Sequence, residues 1–192
     1  IFGQNLSALN INGMWIGSLN SFEPGKGYWY IALDPFEFSY NTPEGASFAR
    51  SNLLSEVPTQ FSYNQSRFQS FYYIKYINFD VCKSRHNYDI EPGDWIIAYN
   101  DDVVVGAREW TGSMTDVPVM GYDGDEYSLG YIQQDECPEF KLYKSSTGQL
   151  IDLYSDGHMP CFANNTTPIL SRLLDTQDEV ANSVVLKGAY PN

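Results

Sequence analysis

Three acids crowd one loop of this 192-residue chain: Asp123, Asp125 and Glu126 fall within MGYDGDEYSLGY, residues 120–131, among Gly121, Gly124 and Gly130. Calcium and other hard cations are held by several oxygens at once, from carboxylates and backbone carbonyls, and a glycine-rich acidic loop can supply them. The spacing is not that of an EF-hand, so a calcium site stands here against a plain solvated acidic loop. Tyr122 and Tyr127 flank the acids and, with Trp110, could stack on sugar rings. Trp29 and Trp95 lie inside apolar runs and are expected in the core, whereas Trp110, between Glu109 and Thr111, is expected to be exposed.

Other chemistry finds little purchase. His86 and His158 are the only histidines and have no partner at metal-ligand spacing. A serine-hydrolase elbow is missing, and Pro24-Gly25-Lys26-Gly27 lacks the strand-then-helix context of a phosphate-binding loop. Pairs of carboxylates such as Asp101/Asp102 arise by chance among 24 acids, so they do not argue for a glycosidase, and the expectation is a non-enzyme. Cys82, Cys137 and Cys161 form no C-x-x-C pair. A Cys137–Cys161 disulfide beside one free thiol is set against three reduced, buried cysteines.

The elements that would carry these residues are strands. Tyr 15, Phe 11 and Trp 4 suit a pleated surface, and 15 glycines with 10 prolines supply turns. Residues 14–19 and 28–33 read as a hairpin around Glu23–Gly27, and a lone hairpin is marginal, so something else must cover it. Further strands are expected at 68–82, 94–100, 103–110, 139–145 and 149–155, with Asn100-Asp101-Asp102 and Ser146-Thr147-Gly148 as the tight connections. No helix of ten residues is expected in 61–165. Short strands punctuated by turns predict an all-β, antiparallel sandwich, Ig-like or jelly-roll-like. The division expected is a small, incomplete β-unit at 1–40, a linker at 41–57, the sandwich at 58–180 and a strand or linker at 181–192.

Net charge is −13, which repels nucleic-acid phosphates and anionic membranes alike. No stretch reaches the roughly 18 apolar residues of a membrane span. Cations, glycans and proteins remain as partners.

Several stretches carry a resemblance. SEVPTQFSYNQSRFQSFYYI (55–74), GDWIIAYNDDVVVGAREW (93–110), TDVPVMGYDGDEYSLGY (115–131) and PEFKLYKSSTGQL (138–150) resemble extracellular β-sandwich modules of large secreted proteins of marine and Bacteroidetes-like bacteria. GMWIGSLNSFEPGKGYWYI (13–31) is similar to the closing half of a small β-domain in such proteins. VVLKGAYPN (184–192) resembles the entry to their C-terminal sorting domain, so the ending reads as a severed junction. The resemblance implies an extracellular or cell-surface protein, structural or adhesive, assembling with itself or a neighbouring surface protein by strand exchange or edge pairing. The donated strand would come from residues 1–13 or 180–190, with Val184, Val185 and Leu186 in the better candidate. Two other readings stay open: a carbohydrate-binding module using Trp110, Tyr122 and Tyr127 with calcium at Asp123, Asp125 and Glu126, and a viral capsid or fibre decoration domain.

Overall fold

The computed structural model describes residues 1–23, 25–32, 35, 37, 56–79 and 90–175. Cys82, His86, most of the 41–57 linker and the 181–192 strand with Val184, Val185 and Leu186 lie outside the described residues.

Among the described residues there are thirteen strands and no α-helix. In chain order they are β1 (Phe2–Gly3), β2 (Leu6–Ser7), β3 (Leu9–Ile11), β4 (Met14–Ile16), β5 (Phe68–Ile74), β6 (Ile77–Asn78) and β7 (Trp95–Asn100). There follow β8 (Val103–Glu109), β9 (Thr115–Gly121), β10 (Glu139–Lys144), β11 (Gln149–Ser155), β12 (Ile169–Leu170) and β13 (Leu173–Leu174). A six-stranded sheet runs β6-β13-β11-β10-β7-β8 and faces a three-stranded sheet ordered β12-β5-β9. The expected all-β, sandwich-like architecture is therefore what forms. Most pairings are antiparallel, but β12 lies parallel to β5 and β13 parallel to β6. These two short pairs are where the sandwich departs from an antiparallel pattern.

These parallel pairs come from two chain segments crossing between the sheets side by side. Only Lys75-Tyr76 separate β5 from β6, and only Ser171-Arg172 separate β12 from β13. Hydrogen bonds from Lys75 N to Leu170 O and from Leu173 N to Tyr76 O stitch the two crossings together. At the opposite side β8 turns into β9, and the two approach so closely that a Cβ on Gly106 would sit 1.7 Å from the Pro118 carbonyl oxygen. The β7–β8 hairpin turns at Asp101, whose φ of 51° is one that Asp tolerates, and its register shifts between Ala98 and Tyr99.

Between the sheets lies one apolar core, built from Tyr72 and Ile74 of β5, Ile96 and Ala98 of β7, Val117 and Val119 of β9, Phe140 and Leu142 of β10, and Phe162. Strands alternate sides, so the remaining apolar residues of β5 and β7 point outward. Both outward sets are covered. Trp95 and Ile97 pack under Phe61, which a 3-10 turn (Thr59–Phe61) brings over the larger sheet. Phe71 and Tyr73 pack under Phe2, with Leu9 and Ile16 beside them. FYYI and WIIA are continuous apolar runs because each strand is buried on both faces.

That second cover is the N-terminal segment, so the covering it requires comes from the sandwich. Its pairing differs from the expected 14–19/28–33 hairpin. Instead β4 pairs with β3 through Asn12-Gly13, both at positive φ as a tight two-residue turn demands, and Trp29 bridges Phe2. Cys137 and Cys161 are joined in a disulfide across a sequence separation of 24. Closing a loop of that size stabilises by roughly 3 kcal/mol in the chain-entropy account.

Candidate functional site

Two polar centres stand out, one at the surface and one buried. The surface centre is the acidic loop. Beyond β9 the chain bends at Tyr122–Gly124, where Gly124 takes φ 94°, and enters a 3-10 turn (Glu126–Ser128). This folds Tyr127 and Ser128 back on Asp123. The Tyr127 hydroxyl donates to Asp123 Oδ2, and Ser128 Oγ donates to Asp123 Oδ1 at 2.8 Å. Arg67, just before β5, completes the ring. Its backbone N and its Nε both donate to Asp123 Oδ2, and its Nη2 reaches Asp123 O and Asp125 Oδ2.

Burial works to raise the Asp123 carboxyl, but the hydrogen bonds from Tyr127, Ser128 and Arg67 together outweigh it and hold the group well below the ordinary carboxylate value. The same bond pushes the Tyr127 hydroxyl up. The Arg67 guanidinium is what joins Asp123 and Asp125. Among the described residues no group of three or more His, Cys, Asp or Glu side chains is placed to hold a metal ion. Of the residues expected to hold calcium, Asp123 has its oxygens bonded by Arg67, Tyr127 and Ser128, Asp125 meets Arg67, and Glu126 is an exposed residue of the turn.

Of the three aromatic residues expected to bind sugar, Tyr122 and Tyr127 are exposed here, next to the solvent-facing Phe68. Trp110 is not with them. It is half-buried against the main core, and its backbone N donates to Asp94 O, which ties it to the start of β7. The exposure expected for Trp110 falls instead to Trp15 and Trp29, at 60% and 56%, while Trp95 is in the core as expected. Trp29, expected in the core, makes only an isolated bridge to Phe2 and stays exposed.

The buried centre joins the N-terminal segment to the sandwich. Asp116 of β9 accepts hydrogen bonds on Oδ2 from Ser7 Oγ and Ser18 Oγ, both at 2.6 Å. The Ser7 and Tyr73 hydroxyls lie 2.8 Å apart. Arg108 of β8 donates through Nε to Asp116 O and through Nη2 to Asn5 O, with its Nε 4.0 Å from Asp116 Oδ1. Gly17 lets the chain pass here, since a Cβ would meet Ser7 O at 2.4 Å and the Tyr73 hydroxyl at 2.7 Å. A further clasp comes from Tyr63, whose hydroxyl donates to Asn5 Oδ1 at 2.6 Å and is pushed up to about 12 by burial, so it remains a donor at physiological pH. Sequence reasoning passes over this centre because Ser7, Ser18, Tyr73, Arg108 and Asp116 are scattered along the chain; the one local sign is an Asp inside the apolar run TDVPVMG.

Fold and centres together define a disulfide-bonded, all-β sandwich module whose N-terminal ribbon is bolted on by a buried acid. No protein-family model, no curated protein and no solved structure matches the chain. Among the described residues, no helix is long and apolar enough to cross a membrane.

Proposed function

We propose that the chain is a non-enzymatic structural or adhesive module of the cell exterior, associating with further copies of itself or with a neighbouring surface protein. One observation carries this reading: Met14 and Trp15, on the β3–β4 ribbon, are 66% and 60% exposed. A two-stranded ribbon offers short edges and little apolar cover of its own, and a large exposed aromatic beside it is a contact surface in waiting. Edge pairing or strand exchange at this ribbon would extend it into an assembly. The disulfide supports an oxidising, exported setting.

Sedimentation velocity over a range of concentrations tests the proposal. The double variant Met14→Ser, Trp15→Ala should weaken self-association about tenfold or more, the scale of losing an aromatic hot spot. A chain that stays monomeric at every concentration, and retains no partner from its own cell surface that the double variant loses, would refute it.

The exposed Tyr122, Tyr127 and Phe68 around the Arg67–Asp123 bonds favour a second reading, glycan binding without calcium. Stacking and planar hydrogen-bonding groups then lie side by side. On a glycan array, Tyr127→Ala should lose most of the signal, and chelator should leave it unchanged; an array blank for the unmodified protein would sink this reading.

A further inference from the structure

We propose that Lys144 and Asp94 become joined by a covalent amide bond between their side chains in the folded protein. The two residues face each other at one end of the β7–β10 ladder. Tyr143 pairs with Trp95 there, so Lys144 and Asp94 are the next cross-strand neighbours, on the face that carries Leu142 and Ile96 into the core. Lys144 Nζ lies 2.6 Å from Asp94 Oδ2, and the two side chains are 5% and 1% exposed. Glu91 Oε2 lies 3.6 Å from the same Nζ, and Ser146 Oγ donates to that oxygen at 3.1 Å. Ser145 N donates to Asp94 Oδ1 at 3.1 Å, and Glu91 N donates to Asp94 Oδ2 at 2.8 Å.

An amine, a carboxyl group and a second carboxylate in this order are what a condensation needs. One proton passes from Nζ to Oδ2 across their contact. The amine lone pair then attacks Cγ, and the negative charge that gathers on Oδ1 is met by the Ser145 N–H, a donor already aimed at it. Glu91 takes a second proton from Nζ and delivers it to Oδ2, which leaves as water. One N–C bond forms and one C–O bond breaks. Three ammonium hydrogens end as one on the amide and two on water, and Glu91 is returned ionised. No oxidant or further reactant is required. Oδ1 remains as the amide oxygen on Ser145 N, and the buried position keeps water from reversing the step. The cross-link would tie β7 to β10 whatever the chain binds, so it stands apart from the assembly reading.

Intact mass of the full chain, purified folded and then denatured, decides the matter. The expected mass is about 18 Da below that calculated for the disulfide-bonded chain, the mass of one water. After reduction, trypsin should leave residues 86–108 attached to 142–172, because the modified Lys144 resists cleavage. Lys144→Arg should restore the full mass and separate the fragments. Glu91→Gln, an exposed substitution that leaves the fold standing, should do the same. Folded protein at its full calculated mass overturns the proposal, as does a water loss that maps to any other acid or a cross-link that persists in Glu91→Gln.

Discussion

Asp116→Ala should lower the unfolding free energy by roughly 3–5 kcal/mol, the range for removing one partner of a buried charged pair. The carboxylate is nearly inaccessible, as is the Arg108 guanidinium beside it, with side-chain exposures of 5% and 6%. Alanine would leave that guanidinium without its counter-charge and take the acceptor from Ser7 and Ser18 at one stroke. The loss has a direction in the structure: Phe2, Leu9 and Ile16 are held over Phe71 and Tyr73 by the segment these serines belong to. Urea unfolding should therefore show the drop, and hydrogen exchange should show the amides of Ser7 and Leu19 opening ahead of those in β7 and β10. Leu19 N donates to Ser7 O, so the two report on one clasp. A change under 1 kcal/mol, or uniform exchange across both regions, would mean that packing alone seats the N-terminal ribbon.

Gly106→Ala is expected to be nearly as damaging. The added methyl would stand 1.7 Å from Pro118 O and 2.7 Å from its carbonyl carbon, so backbone must move and no side chain can turn aside. Overpacking of this kind costs about 1–3 kcal/mol, more where rigid elements oppose each other. Here both elements are fixed: β8 is laddered to β7, and β9 to β5. Gly27→Ala is the matched control, having open space and no positive φ, and should be neutral or slightly stabilising. Thermal unfolding of the two variants side by side checks the contrast. Equal midpoints would show that β8 and β9 can part without cost.

Much of the sandwich is legible in the sequence, for reasons tied to particular residues. Asn100–Asp102 and Ser146–Gly148 are turns between apolar runs, and the hairpins they close are local, so β7–β8 and β10–β11 follow from neighbouring residues alone. Asn12-Gly13 carries an equally strong hairpin signal, but the longer apolar stretches on either side of Pro24-Gly25 compete with it and point to the wrong partner for β4. In β9 the cue disappears: all seven residues are buried, including Asp116 and Pro118, so alternation is absent. Arg67 lies 56 residues from Asp123, and nothing local says that a guanidinium will fill the loop where calcium is expected. The aromatics mislead for a related reason. An apolar neighbourhood in sequence says which residues can be buried, and only the stacking of layers says that Trp110 has cover while Trp15 and Trp29 stand proud.

The parallel crossing of β5–β6 beside β12–β13 also sets the order in which the protein can come into being. Gln69 N bonds Asn164 and Ser70 bonds Thr166, contacts that span 95 and 96 residues, and Ser7 meets Asp116 across 109. Closing such distances is slow, because the chain entropy of a long loop must be lost before the contact forms. A chain emerging from its N-terminal end, from a ribosome or through an export pore, cannot complete the smaller sheet until residues 166–170 are free. Until then the edge of β5 that Ile169 and Leu170 pair with stays open, the interval in which a β-rich chain is exposed to aggregation. The net charge of −13 acts in that interval, keeping unfinished chains apart until the last strands arrive.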